Sequence, residues 1–90
     1  MIFIKNHTKK VELLSSILFS NIFSNKKEKD DYLDDAYNIV IEIDGKDDKN
    51  IVAELICNYY LATAINDYFS DFESISAVIA SEYLLKVSKL

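Results

Sequence analysis

Ninety residues with no proline and a single glycine, Gly45, leave this chain few places to turn sharply. Proline fixes φ and glycine reaches the left-handed region, so their near absence favours long regular elements over a turn-rich all-β architecture. The chain is expected to be mostly helical. At this length roughly 60–65% of the unfolded surface can be buried, enough for one core in a single domain spanning residues 1–90 and too little for a separate catalytic lobe. Half of the residues are apolar, six being Tyr and five Phe, so the chain can bury enough surface to offset the entropy of ordering.

The apolar pattern divides the chain into five elements. Met1–Lys5 is short, apolar and β-prone, which predicts a first strand ended by Asn6 and His7. Thr8 can cap a helix over Lys9–Ser24, whose buried stripe is Val11, Leu14, Leu18 and Ile22. Lys26–Lys29 reads as a polar linker. Tyr37, Ile39, Ile41 and Ile43 alternate with Asn38, Val40, Glu42 and Asp44, so period two and β-branched content predict a second strand, closed by Asp44-Gly45. Asp47, Asp48 or Asn50 can cap a third stretch in which Val52, Leu55, Ile56, Tyr59 and Ala62 continue to Phe69 at helical spacing. Ser70-Asp71-Phe72-Glu73 fits a capping box before a last helix over Asp71–Ser88, with a strand over Ala77–Val87 as the alternative. The order is β-α-β-α-α, an α+β fold, predominantly helical with a minimal two-stranded sheet. Two strands leave an open edge, which a partner chain or a second copy could complete.

Charge is unevenly placed. Residues 1–29 hold six Lys and two Glu, a net +4, whereas residues 30–90 hold four Lys and thirteen acids, a net −9. Arg is absent. A domain dominated by acids repels phosphate backbones and anionic membranes, and without the guanidinium fork bidentate reading of phosphate or guanine is lost. Direct binding of nucleic acid is therefore not expected. No apolar run reaches the roughly 18–20 residues that span a bilayer, and Glu12 interrupts the signal-peptide-like run from Lys5 to Phe19. The one cysteine, Cys57, sits in an apolar helical pattern and reads as a buried thiol in a reducing, cytoplasmic setting.

Catalytic chemistry finds little support in these residues. Asp30-Asp31-Tyr32-Leu33-Asp34 spells DDxxD and resembles the aspartate-rich motif of isoprenyl diphosphate synthases, a resemblance of five residues. Those enzymes need a large helical bundle, a second acidic motif and a basic diphosphate-binding set, none of which fits here. Asp31, Asp34 and Asp35 could gather on one helical turn as a weak cation site, but a solvated charge run is the better explanation of them. His7 and Cys57 are each alone of their kind, and nothing in the sequence positions them as a nucleophile and base. One glycine excludes a glycine-rich phosphate loop. No cofactor and no enzymatic activity are expected.

What stands out is the density of carboxylates from Asp30 to Asp48, opposed within that stretch only by Lys46. Adjacent Tyr32 and Tyr37 could act as desolvated anchors amid that rim, and Tyr59 or Tyr60 as exposed aromatics, since neighbours on a helix diverge. In size, acidity and lack of catalytic parts the chain resembles bacterial immunity proteins, antitoxins and phage anti-CRISPR proteins. That resemblance implies an inhibitor that occupies a basic, nucleic-acid-binding or catalytic surface of a larger protein such as a nuclease or CRISPR effector. The expected binding residues are Asp30, Asp31, Tyr32, Asp34, Asp35, Tyr37, Glu42, Asp44, Asp47 and Asp48. The alternative is a self-associating structural or regulatory helical module, a possible homodimer, whose acids serve solubility.

Overall fold

Among the described residues, four helices, α1 (Phe3–Asn21), α2 (Asp31–Ile43), α3 (Lys49–Thr63) and α4 (Phe72–Val87), make up the regular structure. The structure, a computed structural model, describes residues 3–21, 30–63 and 72–90. No strand forms among the described residues, so the α+β reading with its two-stranded sheet is corrected to an all-helical one. Phe3–Lys5, expected as part of a first strand, open α1, and Thr8 lies within α1 instead of capping it. Tyr37–Ile43, expected as the second strand, is the C-terminal half of α2. The open sheet edge, and any partner strand it would take, disappear with them.

The reason lies in a second period. Tyr32, Ala36, Ile39, Val40 and Ile43 are all buried, spaced by three and four residues as one helical stripe. That stripe shares Ile39 and Ile43 with the period-two alternation, and packing against neighbouring helices outweighs the β-preference of isoleucine. Asp31 and Asp34 in the first turn face the positive end of the helix dipole, which helps start the helix at the acidic run. The remaining boundaries agree better. α4 covers nearly all of the expected last helix and excludes the strand alternative over Ala77–Val87. α3 begins after Asp48, whose Oδ1 accepts from the Asn50 N–H at 2.8 Å as an N-terminal cap. The expected linker at Lys26–Lys29, the extension of α3 to Phe69 and the capping box at Ser70 lie outside the described residues.

Between α2 and α3 the chain reverses in five residues. Asp44 has φ −61° and ψ 134°, Gly45 has φ +80°, and the Lys46 N–H donates to the Ile43 carbonyl at 3.0 Å. This is a type II turn, which needs positive φ at its third residue and so uses the chain's one glycine there. α2 also runs antiparallel to α1, because Phe19 near the end of α1 meets Tyr32 near the start of α2, while Lys10 reaches Asp44 at its end.

Each helix packs on two others: α1 on α2 and α4, and α3 on α2 and α4. The shared core contains Leu14, Ile17 and Leu18 of α1, the α2 stripe, Val52, Ile56 and Tyr60 of α3, and Ile79, Ala80 and Tyr83 of α4. Each large side chain so buried contributes about 1.5–3 kcal/mol. Among the described residues, Ser76 Oγ on α4 is a buried polar side-chain atom without a hydrogen bond. Ser76→Ala is therefore expected to raise stability by about 0.5–1 kcal/mol in urea denaturation, since it removes an unsatisfied hydroxyl and improves helix propensity. A loss of stability of that size would show that the hydroxyl is bonded.

Candidate functional site: the two faces of α2

α2 turns five residues inward, and the rest of its surface looks out. Tyr32 is on the inner side, only 1% exposed, with burial foremost and then the Asp35 and Asp31 charges raising its hydroxyl pKa. It cannot serve as the surface anchor expected of it. Tyr37 keeps that possibility, at 52% exposed, and His7 of α1 packs edge-on against its ring with centroids 5.5 Å apart.

Asp35 is diverted to another task. Its Oδ1 accepts from the Tyr59 hydroxyl at 3.0 Å and its Oδ2 from the Tyr60 hydroxyl at 2.9 Å, so both carboxylate oxygens tie α2 to α3. Tyr60 is buried and Tyr59 half-buried, and their rings stand perpendicular, at 88° with centroids 5.1 Å apart. That perpendicular setting lets two consecutive residues on one helix converge on one carboxylate. Burial, and then the charge and hydrogen bond of Asp35, push the Tyr60 hydroxyl far above its ordinary pKa; burial does the same more weakly at Tyr59.

Two more acids have structural partners. Lys10 Nζ donates to Asp44 Oδ1 at 2.9 Å, and that hydrogen bond holds the Asp44 carboxyl below its ordinary value. Asp48 caps α3. Asp30 at the N-cap of α2 makes no side-chain cap bond and is exposed, as are Asp31, Asp34, Glu42 and Asp47. The expected set thus separates into a buried tyrosine, three acids with structural duties, and an exposed remainder. Among the described residues no three His, Cys, Asp or Glu gather as a metal site, Asp31, Asp34 and Asp35 included. Cys57 is buried on α3.

The sequence reading missed the apolar residues beside those acids. Leu33 and Ile41 are exposed at 37% and 56%, and with Tyr37 they recur every fourth residue, so they align as one ridge on the outer face of α2. A helical projection of residues 30–44 would have shown it. Beside the ridge, at the seam with α1, Glu12, Ser15, Ser16, Asp30 and Leu33 line a recess. α4 has an exposed face as well, where Val78 and Leu85 stand out from a shallow surface shared with Ala77, Ser81 and Glu82. At its edge Glu82 accepts from Lys86 at 2.9 Å, a bond that lowers the Glu82 pKa. Among the described residues no helix is long and apolar enough to cross a membrane.

Comparison with protein-family models, curated proteins and solved structures finds no match to this chain.

Proposed function

We propose that this chain is a small acidic inhibitor that binds a larger protein, with the outer face of α2 occupying a basic nucleic-acid-binding or catalytic surface, in the manner of immunity, antitoxin or anti-CRISPR proteins. The observation that carries the reading is the exposed surface of α2, on which Leu33, Tyr37 and Ile41 are flanked by exposed Asp30 and Asp34, with exposed Asp31 and Glu42 further round the same helix. Acids steer a cationic partner into place and select against anionic ones, and the apolar ridge supplies contact area that ionic pairs in water lack. Aromatic and aliphatic anchors within a charged rim are the usual division of labour in protein interfaces.

The reading is tested by titrating cationic nucleases encoded in the same genome against the wild type and against a variant carrying Asp30→Asn, Asp31→Asn, Asp34→Asn and Glu42→Gln. Asp35 is left intact because its loss would loosen α2 from α3. The complex should weaken steeply with salt, and the variant should bind about a hundredfold more weakly, which is ~3 kcal/mol spread over four rim charges. Affinity unchanged in the variant removes α2's acids from the interface and with them the proposal.

A second reading has its own observation. Val78 and Leu85 are 54% and 61% exposed on α4, and a regulatory helical module could self-associate through that face. In that case sedimentation shows an oligomer whose stability is indifferent to salt and lost on Val78→Lys with Leu85→Lys.

A further inference from the structure

The ridge on α2 has a direction and a flank, and together they restrict what can sit on it. Residues four apart on an α-helix are offset by about 40° and roughly 6 Å along the axis, so Leu33, Tyr37 and Ile41 trace an oblique line roughly 12 Å long. Rows of this kind are the ridges that helices lay into one another's grooves. Asp30 and Asp34 lie along the same side of the helix, with Asp31 and Glu42 further round. At the Leu33 end, the recess at the α1–α2 seam adds the Glu12 carboxylate to that of Asp30.

An exposed apolar line of this length is poorly matched to a purely ionic, phosphate-binding groove, which would leave it facing lysine ammonium groups and ordered water. A second copy of the chain is no better, because α2 carries no basic residue that could stand opposite the acids of another α2. Charge and shape are complemented together by a helix that is apolar along one stripe and basic beside it. We infer that the element of the partner seated on α2 is an amphipathic helix, its apolar stripe on Leu33, Tyr37 and Ile41, its flanking Lys or Arg against Asp30, Asp34 and Glu42, and one basic side chain entering the recess beside Glu12. This rests on the reading of α2 as the partner-binding face and narrows the partner from a basic surface to a basic helix.

Two synthetic peptides of identical Lys, Leu and Ala composition, one with leucines on a single helical stripe and one with them scattered, are titrated into the full isotope-labelled chain and followed by amide chemical shifts. The striped peptide should become helical on binding, perturb Leu33, Tyr37 and Ile41, and bind at least about tenfold more tightly than the scattered one. Tyr37→Ala with Ile41→Ala should erase that preference while leaving the helical circular dichroism of the free protein in place, its unfolding midpoint falling only by the loss of the His7–Tyr37 ring contact and the half-buried part of each side chain. Equal affinity for the two peptides overturns the helix and leaves the basic-surface reading standing. Perturbations that map to α4 instead of α2, or no binding by either peptide, overturn the helix as well. Peptide affinity that survives neutralising Asp30, Asp34 and Glu42 overturns the underlying reading of an acidic interface.

Discussion

Asp35→Ala is expected to destabilise the protein by about 3 kcal/mol, whereas Asp34→Ala, one residue earlier, changes stability by less than about 0.5 kcal/mol. The difference follows from what each carboxylate meets. Asp34 is exposed on the outer face of α2. Asp35 accepts from both Tyr59 and Tyr60, and hydrogen bonds to a charged group contribute about 1.5–3 kcal/mol each. Removing the carboxylate also takes an acceptor from the buried Tyr60 hydroxyl, which is costlier than losing a bond at the surface. Asp35→Asn, which keeps one acceptor oxygen, should fall between the two. Urea denaturation of the three variants decides the matter, and equal losses at positions 34 and 35 would dismiss the α2–α3 clamp. Under the partner-binding role proposed for α2 the order would reverse, Asp34 acting directly and Asp35 only by keeping α2 in place.

The second large effect appears at alkaline pH. Burial, followed by the Asp44 charge, pushes the Tyr83 hydroxyl from 10.0 to about 12, and Tyr60 is raised further. An acid with a raised pKa keeps its proton in the folded protein after the unfolded chain has lost it. The stability from these two groups is therefore complete below about pH 10 and falls as pH rises above it, because the unfolded state then binds fewer protons. For Tyr83 the loss runs from about pH 10 to about pH 12 and amounts to roughly 2–3 kcal/mol, at ~1.4 kcal/mol per pH unit. Tyr60 continues the decline. Denaturation midpoints measured across this range should drop accordingly, and Tyr83→Phe should flatten the first part of the slope. A midpoint that stays level through pH 12 would mean that neither hydroxyl is buried. Asp44 and Glu82 act in the opposite direction: lowered by their lysine partners, they give stability that is present above their ordinary pKa and is lost as pH falls through the folded values.

How much of this was legible in the residues can be judged element by element. The scarcity of Pro and Gly points to helix, the apolar stripe of Ile75, Val78, Ile79, Tyr83 and Leu84 places the last helix nearly in full, and Asp48 is a residue whose side chain can cap α3. The failure at α2 came from a segment that satisfies two periods at once. Tyr37, Ile39, Ile41 and Ile43 alternate, yet the helical stripe becomes visible only when Tyr32 and the small Ala36 are counted with Ile39, Val40 and Ile43. The dense acids before it looked like a boundary when they are in fact the first turn. Carboxylate density was readable as a surface feature. Which acids are engaged was not, because their partners Tyr59, Tyr60 and Lys10 lie 24, 25 and 34 residues away, and such pairings are fixed by the packing of whole helices.

One consequence of the way α2 is held concerns the entropy of recognition. A disordered acidic tail of the same composition would attract any cation, but would have to be ordered on each encounter and would present its charges in no fixed register. α2 is already fastened on one flank by Asp35 to α3 and on the other by Asp44 to Lys10 of α1, and His7 braces the ring of Tyr37. The conformational freedom that binding would otherwise remove has been surrendered in folding. In the proposed binding role, the acids and the ridge beside them would meet a partner as a preset template, turning a generic attraction for positive charge into selection by shape.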